Sequence, residues 1–217
     1  MSPFLPQYIA SPIKMPRAGT LVICVQNLDF SGANQVVLNV VSGHLHESNV
    51  IVLSPKMGTF AARFVETGAA VRFGDLSSLL DDIKDVFCII CNTIMTAQHV
   101  VDMAKRPHPV IWILHEWWDD EMIRENLRIR NMSGLTVETV KEALQKASCV
   151  VFVCEAQRLL YGPATSSAVI YVGVPAPLHQ LSQIAQKEEP RRSDSKFTFL
   201  CLGIVCPRKN QVWAGNY

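Results

Sequence analysis

Leu21-Val-Ile-Cys-Val25, then the polar turn Asn27-Leu-Asp-Phe-Ser-Gly32, then Ala33-Asn-Gln-Val-Val-Leu-Asn-Val-Val41, is the stretch that decides the fold class. Five apolar residues without alternation predict a strand covered on both faces, as in a buried parallel sheet. After the turn, Ala33, Val36, Val37, Val40 and Val41 recur at three- and four-residue spacing, which lays one apolar stripe along a helix. Strand, turn and helix in this order open a crossover unit.

The same alternation continues outward. Strands are predicted at Asn49 to Leu53, Ala70 to Phe73, Val86 to Cys91, Val110 to Leu114, Cys149 to Cys154 and Val169 to Val172. Helices are predicted at Thr59 to Glu66, Leu76 to Ile83, Thr96 to Lys105, Glu116 to Arg130, Val137 to Lys146 and Ala156 to Tyr161. Strands joined through helices imply a mostly parallel, doubly wound α/β sheet of Rossmann-like type. Residues 1–19, with Pro3, Pro6, Pro12 and Pro16, read as a disordered leader, and 20–175 as the main domain. Residues 176–196 turn polar and read as a linker. Residues 197–217 begin a new apolar strand and turn, the expected start of a second, truncated domain of the same type.

Composition narrows the function. A net charge of +1 gives no electrostatic footprint for nucleic acid. Hydrophobic residues make up 49% of the chain, yet no apolar run reaches the ~18–20 residues of a membrane span. No secretory signal is visible, so a cytoplasmic setting is expected. Cys88 and Cys91 stand three apart on a predicted strand and face opposite sides, so neither a redox pair nor a metal pair is expected. They read as small buried hydrophobes.

Ligands of doubly wound sheets bind beyond the carboxyl ends of the strands, so three segments draw attention. Ser31-Gly32 opens the first helix, where backbone N–H groups meet an anion or a sugar hydroxyl. It is no dinucleotide fingerprint, having one glycine, and the plain alternative is an ordinary strand-to-helix turn. His115-Glu116 follows the fifth strand. With Asp at 119 there is no second histidine to make a zinc helix, which leaves a hydrogen bond to a substrate hydroxyl or phosphate, or a structural surface histidine. Pro207-Arg208-Lys209 after the Phe199 strand would offer two cations to a phosphate, against the alternative of a solvated basic face.

These segments, together with Val-Val-Phe-Val-Cys-Glu155, Val-Ile-Tyr-Val-Gly-Val174 and Leu-Gly-Ile-Val-Cys-Pro-Arg-Lys209, resemble the family 4 glycosyltransferases of the GT-B fold over roughly residues 20 to 211. The resemblance implies an acceptor-side domain here and a donor-binding domain beyond it. It implies transfer of a sugar, with retention, from a nucleotide-sugar to a sugar, lipid or protein acceptor. No metal and no cofactor besides the nucleotide-sugar co-substrate are implied. Ser31, Gly32, Arg208 and Lys209 would then hold donor phosphates and sugar, His115 would be the catalytic contact to the transferred sugar, and Glu116 a substrate contact. The chain departs from the family at Val172, where an Asn is common, and at Ile204, where an Arg is common. The family's paired-glutamate motif would fall beyond Tyr217, so the chain is expected to be inactive alone. Alternatives are a non-catalytic module that associates with a full-length transferase, and a sugar-nucleotide epimerase of the same fold.

Overall fold

The computed structural model describes residues 19–44, 48–130 and 135–171. Seven parallel strands form one sheet in the order β3-β2-β1-β4-β5-β6-β7. They are β1 (Thr20–Cys24), β2 (Asn49–Ser54), β3 (Ala70–Phe73), β4 (Val86–Asn92), β5 (Val110–Leu114), β6 (Cys149–Phe152) and β7 (Ser167–Val169). Helices α1 (Gly32–His44), α2 (Ala61–Glu66), α3 (Leu76–Asp81), α4 (Ala97–Met103), α5 (Asp120–Arg130), α6 (Val137–Lys146) and α7 (Glu155–Tyr161) carry the crossovers. A 3-10 turn, Ile94–Thr96, leads into α4. The expected linker, the Phe199 strand, Arg208 and Lys209 lie outside the described residues.

Alternation along the strands divides the core into two layers. Leu21, Ile23 and Val25 pack with Val37, Leu38 and Val41 of α1 and Phe60 and Phe64 around α2. Val22 and Cys24 pack on the other side with α3, α4 and α6, through Leu76, Val100 and Leu144 among others. All five residues of β1 are buried, as a run of apolar residues without alternation requires. Cys88 and Cys91 fall into different layers, facing opposite sides of the sheet.

Element boundaries shift from the sequence reading by one to four residues, and three of the shifts have a plain local reason. β6 ends at Phe152, because the Val153 N–H donates to the Gln157 side chain and leaves the ladder. β7 occupies Ser167–Val169 and pairs with Val150, Val151 and Phe152, leaving Ile170 and Tyr171 exposed. α5 starts at Asp120, since the four residues before it are held in a loop.

Truncation inside either layer removes apolar contact that the surrounding sheet cannot recover. Ile23→Ala should lower unfolding stability by about 2–5 kcal/mol, whereas exposed Val65→Ala should stay within about 0.5 kcal/mol of wild type. Urea denaturation of the two variants checks the contrast.

Candidate functional site at the sheet's switch point

Chain order reverses between β1 and β4: the first half of the sheet winds outward to β3, and the second starts on the other side of β1. Such a reversal opens a crevice at the carboxyl ends of the two strands, because their crossovers leave in opposite directions. The loops after β1, β4 and β5 therefore stand side by side, and they carry Ser31, Gly32 and His115.

The loop after β1 is fixed from inside. Asn34 is buried, and its Nδ2 donates to the carbonyls of Asn27 at 3.1 Å and Asp29 at 2.8 Å. Ser31 Oγ accepts from the Asn34 N–H at 3.1 Å, the bond of a helix N-cap. The loop after β2 buttresses it, with the Phe60 N–H donating to the Leu28 carbonyl at 2.8 Å. Gly58 is needed for that approach, since a Cβ there would stand 2.2 Å from the Leu28 carbonyl oxygen. Gly32 differs. A Cβ on it would meet nothing within 4 Å, so neither the fold nor its packing demands glycine. Open space lies over the first turn of α1, which holds no acidic side chain.

Asn92, the last residue of β4, joins this loop to His115. Its side chain is fully buried; Nδ2 donates to the Ala33 carbonyl at 3.4 Å, and Oδ1 lies 2.8 Å from His115 Nε2. With the amide nitrogen turned to a carbonyl, the amide oxygen must accept from the ring. Nε2 therefore carries the proton and Nδ1 keeps a lone pair. Burial pushes the His115 pKa down from 6.5 to about 4, so the ring is neutral at physiological pH. A neutral imidazole with a bare nitrogen accepts a hydroxyl hydrogen bond and brings no positive charge to a phosphate.

Glu116 faces the protein. Its Oε2 accepts from the Ile94 N–H at 2.8 Å and the His115 N–H at 3.3 Å, bracing the end of β5 against the turn after β4. Two residues four apart on α7 hold the next stretch of backbone. Gln157, fully buried, donates to the carbonyls of Leu114 at 3.2 Å and Glu116 at 2.8 Å. Tyr161 donates its hydroxyl to the Glu116 carbonyl at 3.0 Å and accepts from the Trp118 N–H at 3.4 Å. Burial raises its pKa, so the phenol stays protonated.

Sequence reasoning singled out Ser31, Gly32, His115 and Glu116 but passed over Asn34, Asn92, Gln157 and Tyr161. The available signal was an amide on an otherwise apolar face: Asn92 closes an apolar strand, and Gln157 lies on the inward side of its helix. Among the described residues, no group of three or more His, Cys, Asp or Glu side chains is arranged to hold a metal ion. No described helix is long and apolar enough to cross a membrane.

No protein-family model matches the chain, and no curated protein matches it. Among solved structures it superposes on Anabaena Alr3699/HepE in complex with UDP, with a TM-score of 0.58 and 16% identity over 77% of this chain and 49% of that one. The fold is shared. HepE in complex with UDP-glucose gives the same values, and HepE with UDP and glucose gives a TM-score of 0.56 over 78% of this chain and 50% of that one. The chain thus has a Rossmann-like α/β fold shared with the HepE chains, and it spans about half their length.

The His115 assignment has a consequence for stability. Between pH 6.5 and about 4 the unfolded chain binds a proton that the folded site refuses. This contribution is therefore complete above pH 6.5 and is lost as pH falls, by up to about 3 kcal/mol. Urea unfolding across that range should show a steeper loss for wild type than for His115→Gln; equal slopes would contradict the assignment.

Proposed function

We propose that the chain is the acceptor-side half of a retaining glycosyltransferase of the family 4 type, working in the cytoplasm. A nucleotide-sugar is the donor, and a sugar, lipid or protein hydroxyl is the acceptor. In the transfer, the bond from the anomeric carbon to the diphosphate oxygen breaks, a bond from that carbon to the acceptor oxygen forms, and the acceptor's hydroxyl proton passes to the departing diphosphate. Negative charge grows on the leaving diphosphate, so donors and positive dipole ends aimed at it lower the barrier.

The observation that carries this reading is the open space over Gly32 at the N-terminus of a 13-residue helix, tied through Asn92 to a neutral His115. The helix end suits the diphosphate. His115 Nδ1 suits a hydroxyl of the transferred sugar. Ser31 Oγ accepts the cap bond of α1 and keeps its hydroxyl hydrogen to donate to a phosphate or sugar oxygen. Arg208 and Lys209 would add cations to the diphosphate from the donor-binding side. The HepE complexes with UDP and UDP-glucose support the choice of ligand class.

The test uses the protein with UDP-glucose as the probe, followed by two-dimensional NMR. Millimolar UDP-glucose should shift the amide signals of Gly32 to Asn34 and the ring signals of His115. Gly32→Val should weaken these shifts at least tenfold while leaving the unfolding temperature unchanged, since its side chain enters open space. A wild-type spectrum undisturbed at these positions would overturn the proposal.

A further inference from the structure

A cleft of about 440 Å³ opens between the start of α5, α6 and α7, and it shares no lining residue with the crevice of Gly32, Asn92 and His115. That volume lies within the range of about 300–1,000 Å³ typical of small-molecule sites. One side is apolar. Trp118, Ile123, Val140 and Leu144 are buried there, and Leu160 and Tyr161 complete the wall from α7. The wall is pre-formed, because the Tyr161 hydroxyl is fixed by the Glu116 carbonyl and the Trp118 N–H.

The other side is charged, with both signs present. Asp120 pairs with Lys141 at 2.6 Å, and Asp119 Oδ1 accepts from the Met122 N–H at 2.8 Å. Glu121 and Arg124 stand three apart on α5, on one face of the helix. Neither forms an ion pair among the described residues. A carboxylate only accepts and a guanidinium only donates. Side by side and uncommitted, they match a group that does both, such as a pair of neighbouring hydroxyls. An inorganic anion would meet the carboxylates of Asp119, Asp120 and Glu121, and an ammonium would meet Arg124 and Lys141. A fatty chain would cover the wall and leave both charged groups unanswered. A pyranose sugar divides as the cleft does, with C–H bonds on its faces and hydroxyls around its rim.

We propose that this cleft is a second binding site, which takes a neutral sugar with its C–H face on the Tyr161 wall and its hydroxyls on Glu121 and Arg124. Use of that sugar as the acceptor rests on the glycosyl-transfer reading above; its binding does not.

The test is an NMR titration with two neutral disaccharides, maltose and cellobiose, in the absence of any nucleotide. At high-millimolar concentration at least one should shift the Trp118 indole signal and the amides of Glu121 to Arg124, with those of Gly32 to Asn34 left in place. Glu121→Ala and Arg124→Ala replace exposed side chains, so each should unfold at the wild-type temperature. Each should also weaken the sugar's binding by about fivefold or more. Silence at these signals with both sugars would overturn the proposal and leave the UDP-glucose result standing. Decanoate shifting the same signals as strongly, or sugar binding untouched by both substitutions, would overturn it as well.

Discussion

The carboxyl edge of the sheet depends on the buried amide of Asn92. A parallel sheet holds its strands together through their backbones and leaves the loops beyond them to find their own partners. At the reversal of strand order the crossovers diverge, so the edge would gape between β1 and β4 unless something spanned it. Asn92 spans it, with one end of its amide on the first turn of α1 and the other on His115. Burial gives those bonds their weight, because an amide withdrawn from water and left unpaired costs about 1–3 kcal/mol.

From that bridge follow the electrostatics of the site. Asn92 presents its oxygen to the ring, so the ring must donate through Nε2. Desolvation keeps the ring neutral, and the lone pair on Nδ1 is what remains for a ligand. Positive potential comes instead from the end of α1, whose first turn carries no acid. Hydrogen-bond acceptance and positive potential are thus divided between a neutral side chain and a helix dipole. Glu116, Gln157 and Tyr161 supply the rigidity, each bonding to backbone around the end of β5.

The fold was readable because its cause is local. An unbroken apolar run such as Leu21 to Val25 can be buried on both faces only in a covered sheet, and the stripe from Ala33 to Val41 fits only a helix. Register at the edge was less readable: Ser167 and Ala168 are small or polar and give little signal, so the apolar Ile170 and Tyr171 looked more strand-like than they are. In the site, Ser31, Gly32 and His115 were legible because each directly follows a strand. Asn92 and Gln157 were not, since their partners lie tens of residues away and meet them only once the sheet is wound. The positive φ of 76° at Thr93, just after β4, carried no signal at all, because threonine ordinarily marks an extended backbone.

Asn92 and His115 act as a coupled pair that joins the loops after β1, β4 and β5. A double-mutant cycle with Asn92→Ala, His115→Ala and the combined variant, followed by urea unfolding at pH 7, tests it most directly. A coupling energy of about 1 kcal/mol or more is expected between the two positions. Strict additivity, within about 0.3 kcal/mol, would contradict it.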